Sequence, residues 1–141
     1  MIRCRCYALG AAAATIATAL GVRAAGEGDF AKYAGDALYT VLWYALVVVA
    51  LPRVRPVCAA GVALGVSWAV EFAQLTSVPA DLSARSGLLR LVFGSTFNAP
   101  DLFWYAVGAV AAWGVHRWCG RADRSRLSVA RPDRPLWGPR S

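Results

Sequence analysis

Four apolar stretches separated by charged punctuation organise the chain: Tyr7–Val22, Ala37–Leu51, Val57–Leu75 and Leu102–Trp118. Each is 15 to 19 residues long. As helix, that is roughly 22–29 Å at 1.5 Å per residue. A hydrocarbon core of about 30 Å is slightly longer, so the flanking Gly, Asp and Arg residues are expected in the headgroup layers. None of the stretches alternates as a transmembrane strand does. All are apolar on every side, which leaves a soluble helical core no polar face to turn to water. The pattern predicts an all-α integral-membrane bundle of four transmembrane helices spanning residues 1–119.

Composition agrees. Hydrophobic residues are 58% and charged residues 16% of the chain, with a mean hydropathy of +0.47. These values argue against both a soluble enzyme with a solvated surface and an intrinsically disordered chain. Fourteen Arg against one Lys, with 28 Ala, reads as the product of a high-GC bacterial genome.

Charge placement adds orientation. Arg3, Arg5, Arg53, Arg55, Arg117, Arg121, Arg124, Arg126, Arg131, Arg134 and Arg140 flank one side of the bundle. Only Arg23, Lys32, Arg85 and Arg90 flank the other. The positive-inside rule then puts both termini in the cytoplasm of a multi-pass inner-membrane protein. Residues 120–141 are Arg-, Pro- and Ser-rich without an apolar period, and are expected to form a basic, disordered cytoplasmic tail. Such a tail is drawn to an anionic leaflet, and no nucleic-acid partner is expected. The first stretch overlaps a signal-peptide pattern, but Arg23 beside the best cut position favours its retention.

Cys4, Cys6, Cys58 and Cys119 all map to the reducing side and are expected to be unpaired thiols. No metal or cofactor site is expected from them.

The informative polar residues gather at the opposite rim. Lys32 and Asp36 open the second stretch; Glu71 and Gln74 lie near the end of the third. Arg85 and Arg90 follow in the loop, and Asp101 and Tyr105 begin the fourth. A carboxylate inside a span is costly and marks a functional site by default, so Glu71 leads the set. Pairing with Arg85 or Arg90 would neutralise it. Asp36 and Asp101, at helix starts, each fit a helix cap better than a ligand. Asn98 and Asp101 resemble a capping box with Asp in place of Glu. Gly61, Gly65, Ala69 and Ala73 form a small-residue stripe on the third helix, expected to pack on a neighbour and make that helix central. His116 is expected to be a solvated residue of the inner boundary. Leu88–Phe93 is too short to span and is expected to be interfacial or re-entrant.

Several of these residues fall in recognisable motifs. The run Phe30–Leu38, FAKYAGDAL, resembles the K-Y-x-G-D-A-L segment of a small bacterial integral-membrane family, domain of unknown function number 2809. Ala69–Leu75, AVEFAQL, is similar to its E-F-x-Q-L motif. Arg85, then Arg90–Gly94 and Phe97, are similar to its R…R-L-V-L-G-x-x-F; Asp101, Leu102, Tyr105 and Gly108 are similar to its D-L-x-x-Y-x-x-G. The chain departs in a short loop after Arg23 and in lacking a tryptophan between Gln74 and Arg85. A looser similarity, E-x-x-Q, then Arg, then D-x-x-x-Y, links it to VanZ-like proteins of the cell envelope. These resemblances imply a topology and a residue set, and no reaction.

Three function classes follow. The first is a non-enzymatic envelope protein whose rim cluster locks the helices or binds a lipid or other amphiphile headgroup. The second is a lipid-linked enzyme holding a divalent cation between Asp36, Glu71 and Asp101; it lacks a recognisable catalytic motif or an outer histidine. The third is a transporter subunit, for which four helices and one buried acid are sparse unless the chain assembles as a homo-oligomer. The first is preferred, with no catalytic residue assigned.

Overall fold

In the computed structural model, residues 2–25, 28–76, 81, 84, 86–88 and 96–129 are described, without side chains for 2–4 and 122–129. They form four long helices: α1 (Ile2–Ala25), α2 (Asp29–Ala50), α3 (Pro56–Ala73) and α4 (Ala99–Val129). Three segments, Arg5–Ala25, Asp29–Ala50 and Pro56–Ala73, are long and apolar enough to cross a membrane.

Local chemistry sets the helix ends. Gly28, at φ 89°, turns the chain into α2 through a backbone conformation that a side chain would strain. After Ala50, Pro52 and Pro56 bracket a tight connection in which Val54 N–H donates to the Leu51 carbonyl at 2.9 Å. Pro56 then opens α3 in the first turn, where its missing N–H has no partner to lose. Asn98 precedes α4, and Pro100 occupies its first turn for the same reason.

Three of the helices, α1, α2 and α4, are longer than the apolar stretches that announce them. α2 begins at Asp29, so Asp36 lies two turns inside it and is no cap. α4 runs on to Val129, so the first part of the expected tail is helical. Ala122, Arg124 and Arg126 are compatible with helix once a preceding span has nucleated it. Residues 130–141 lie outside the described residues, as does most of the expected interfacial segment Leu88–Phe93.

The helices alternate in direction. Lys32 meets Asp101, and further along Tyr44 meets His116, so α2 and α4 run parallel. Thr40 meets Ser67 and Glu71 meets Asn98, so α3 runs against both. Ala8 packs with Tyr44 and Val48, which places the start of α1 by the end of α2. α2, not α3, is the central helix: it packs on all three others, whereas α1 packs chiefly on α2.

Small side chains let these helices approach. The buried face of α3 is Ala59, Ala63, Ser67 and Glu71, every fourth residue. Gly61, Gly65, Ala69 and Ala73 are instead exposed, and a Cβ at Gly61 or Gly65 would meet nothing within 4 Å. The two stripes lie two residues apart, about 200° round the helix, so only one can face the bundle. The one carrying Glu71 does, because a carboxylate needs partners that acyl chains do not offer. At Gly108 the approach is closest: a Cβ there would lie 2.9 Å from the Ala37 carbonyl carbon. Large apolar side chains such as Leu9, Ile16, Leu46, Val62, Phe103, Val110 and Trp118 point outward from all four helices. That outward-facing apolar surface suits a hydrocarbon surround and not water.

Candidate functional site

Five of the predicted rim residues converge at the end of the bundle where α2 and α4 begin and α3 ends. Lys32 Nζ lies 2.6 and 2.9 Å from the two carboxylate oxygens of Asp101. The Lys32 side chain is 44% exposed and that of Asp101 6%, so the pair joins a half-solvated cation to a buried anion. Asn98 Nδ2 also donates to Asp101 Oδ1. Lys32 further rests near the Tyr33 ring, 5.5 Å from its centroid, and Tyr33 stacks on Trp104 with centroids 5.4 Å apart.

Glu71 is the most enclosed charged residue described, 1% exposed. Its Oε1 accepts the backbone N–H of Asn98 at 2.6 Å, and its Oε2 accepts the hydroxyl of Tyr105 at 3.1 Å. Both partners come from the start of α4, so the carboxylate of one helix satisfies a free N–H at the N-terminus of another, where the dipole also favours negative charge. The expected capping box is thereby replaced. Asp101 donates its own N–H to the Asn98 carbonyl at 2.9 Å. Its side chain is one methylene shorter than the Glu of such a box, and it turns to Lys32 and Asn98 Nδ2 instead. Asp101 still lies in the first turn, as a dipole-complementing acid should.

Asp36 lies within electrostatic range of Asp101, Lys32 and Glu71. Its Oδ2 is buried with no hydrogen-bond partner, and so is the Tyr39 hydroxyl. Tyr39 and Tyr105 face each other with ring centroids 6.1 Å apart. Gln74 closes α3, its backbone N–H shared between the Glu71 and Val70 carbonyls at 3.1 and 3.3 Å. Arg85 and Arg90 lie outside the described residues, and so does their expected pairing with Glu71. Among the described residues, no group of three or more His, Cys, Asp or Glu side chains is disposed to hold a metal ion.

Residues 26–109 match the family model DUF2809, a protein of unknown function. The chain belongs to the DUF2809 family. The match covers α2, α3 and the first turns of α4, and so every described member of the rim cluster. Neither comparison with curated proteins nor comparison with solved structures finds a match.

The bundle of this DUF2809 protein also holds polar contacts that its motifs do not announce. Thr40 and Ser67, both fully buried, share a hydrogen bond of 2.8 Å across α2 and α3. Ser67 also donates to its own helix at the Ala63 carbonyl, 3.0 Å away. Near the other end, the Tyr44 hydroxyl lies 2.7 Å from His116 Nδ1, with the rings edge to face. His116 is therefore not a simple solvated boundary residue. Its partner is a tyrosine that is itself buried. Trp68 donates from Nε1 to the Leu102 carbonyl at 3.2 Å. A signal for this seam is present in α2, where Lys32, Asp36, Thr40 and Tyr44 recur every fourth residue. Thr and Tyr are common enough in membrane spans to be passed over singly. Their shared period is what marks a face.

Cys6, Cys58 and Cys119 are free and exposed. The Cys4 side chain lies outside the described residues.

Proposed function

We propose that this DUF2809 chain is a non-enzymatic, four-span protein of the bacterial inner membrane, with both termini in the cytoplasm. In this reading the outer polar cluster is first of all an interhelical lock. The single observation that carries it is the Glu71 carboxylate, which is 1% exposed and has both oxygens taken by donors from α4. A carboxylate held for a ligand keeps an oxygen turned toward that ligand, and this one does not. Lys32 and Asp101 likewise satisfy each other. In a hydrocarbon surround, such polar contacts supply the attraction that lipid-like side chains cannot, since apolar contacts between helices replace equally apolar contacts with lipid.

The same cluster has a half-exposed ammonium group beside the Tyr33 ring, which itself stacks on Trp104, and this supports contact between Lys32 and an anionic amphiphile headgroup as the second role. Mass spectrometry of lipids that copurify with wild type, Lys32→Met and Glu71→Gln separates the two. The lock predicts one lipid profile for all three proteins and lower detergent stability for the variants. A headgroup class missing from Lys32→Met alone would transfer the primary role to binding.

A further inference from the structure

The end of the bundle away from the rim cluster carries charge of the opposite sign. Every acid whose side chain is described, Asp29, Asp36, Glu71, Asp81 and Asp101, belongs to the rim half of the molecule. Arg5 of α1, Arg53 and Arg55 of the α2–α3 connection, and Arg117 and Arg121 of α4 lie at the far end, all exposed. The helix starts repeat the division. α2 and α4 begin at the rim with an acid in the first turn, Asp29 and Asp101, as their dipoles favour. α1 and α3 begin at the far end with none, and the residue before α3 is Arg55, which makes no side-chain cap. Positive charge there opposes the dipole, so an anion from outside would relieve both.

Two sets of contacts bring arginines of different elements together. The Tyr44 hydroxyl stands 3.4 Å from the Pro56 carbonyl and 2.7 Å from His116 Nδ1. Arg55 and Arg117, the chain neighbours of those two residues, therefore meet at one junction. Val54, between Arg53 and Arg55, packs on the same apolar cluster as Trp113. The Arg117 guanidinium lies over the Trp113 ring, 5.0 Å from its centroid. A guanidinium held by its face keeps its N–H edges for a planar or phosphate anion. Among the described residues, none of Arg53, Arg55 and Arg117 pairs with an acid. Topology signals explain the sign of this end, but they do not require guanidinium groups from two elements to meet at one tyrosine.

The surface beside the junction names the kind of anion. Leu51, Val57, Val115 and Trp118 are each at least 60% exposed. A small soluble anion gains nothing from such neighbours. A phospholipid lays its acyl chains on them and brings its phosphate to the guanidinium groups, and an exposed tryptophan is typical of the headgroup level.

We propose that Arg53, Arg55 and Arg117 form a binding site for the headgroup of an anionic phospholipid. The site is separate from the rim cluster and rests on the membrane reading alone, whether or not the rim is a lock.

The test is native mass spectrometry of the full chain in non-ionic detergent, with equal amounts of phosphatidylglycerol and phosphatidylcholine added. Wild type should retain phosphatidylglycerol in preference. An arginine near a headgroup is worth roughly fivefold in affinity, so Arg55→Gln with Arg117→Gln should weaken phosphatidylglycerol retention by about 20-fold and leave phosphatidylcholine unchanged. Arg131→Gln with Arg134→Gln removes the same charge from the tail and should behave as wild type. If the first pair loses helical content, Arg53→Gln with Arg117→Gln replaces it. Equal losses in the junction and tail variants would overturn the site in favour of diffuse attraction. Detergent-solubilised wild type without a preference would overturn it outright, as would displacement of the lipid by millimolar inorganic phosphate. Wild type that stays monodisperse without detergent and does not enter liposomes would overturn the membrane reading, and the site with it.

Discussion

Glu71 caps a helix to which it does not belong: its Oε1 accepts the Asn98 backbone N–H at 2.6 Å, immediately before α4 begins. With Tyr105 on the other oxygen, the carboxylate ties the end of α3 to the first two turns of α4. Replacing it therefore tests a connection between elements and not only a local charge. Glu71→Ala leaves an N–H and a hydroxyl without an acceptor, and should destabilise the protein by about 2–4 kcal/mol. Glu71→Gln keeps one acceptor oxygen and should cost about 1–2 kcal/mol. Thermal unfolding in detergent ranks the two; equal midpoints would deny the capping role.

The Lys32–Asp101 pair should contribute less than its short distances imply. Water reaches the ammonium group, which is 44% exposed on its side chain, and screens the attraction. A double-mutant cycle with Lys32→Met and Asp101→Asn should give a coupling of about 1 kcal/mol, falling as salt is raised. A coupling unaffected by molar salt would mean that the pair is sealed off.

Two glycines make opposite predictions. A methyl group at Gly108 would run into the backbone of Ala37, so Gly108→Ala must push α2 and α4 apart, at a cost of about 1–3 kcal/mol. Nothing lies within 4 Å of the corresponding position at Gly65. Gly65→Ala should be neutral or stabilising by up to about 1 kcal/mol, through helix propensity alone. If Gly65→Ala proved the more damaging of the two, the exposed stripe of α3 would have to be a contact surface after all.

Tyr44→Phe removes only the hydroxyl that meets His116 and, more distantly, the Pro56 carbonyl at 3.4 Å. The loss should be about 1 kcal/mol, the ordinary net worth of one hydrogen bond. Adding His116→Phe to that variant should then cost little more, since its partner is already gone. Full additivity of the two would show that the residues do not act as a pair.

Orientation can be read from native thiols. Cys58 and Cys119 are exposed, one at the start of α3 and the other on α4 beyond His116. A membrane-impermeant maleimide should modify both in inside-out vesicles and neither in right-side-out ones. Modification from the opposite side would reverse the assignment drawn from arginine placement.

Much of the candidate site could be named without coordinates. A charged or amide side chain inside or bordering an apolar run is visible in one dimension: Glu71 stands out within the third run, and Lys32, Asp36 and Asp101 at the edges of the second and fourth. What each one touches could not be read in this way. Asp36 and Asp101 look alike as helix-opening acids, yet one lies two turns inside α2 and the other in the first turn of α4. The small-residue stripe misled for a related reason. Two such stripes occupy opposite faces of α3, and composition cannot say which is covered.

Hydrophobic run lengths and charge placement by themselves determined that the chain is helical, that it is suited to a membrane, and where its strongly polar groups lie. These follow from the cost of exposing apolar surface to water, which depends on residue type and spacing and on little else. Only the tertiary structure decided that α2 is central, that Glu71 serves Asn98 and Tyr105, and that His116 meets Tyr44. Those outcomes depend on the rotation and register of one helix against another. Hydrogen bonds act over about 3 Å, so a shift of a single turn exchanges every partner along the seam.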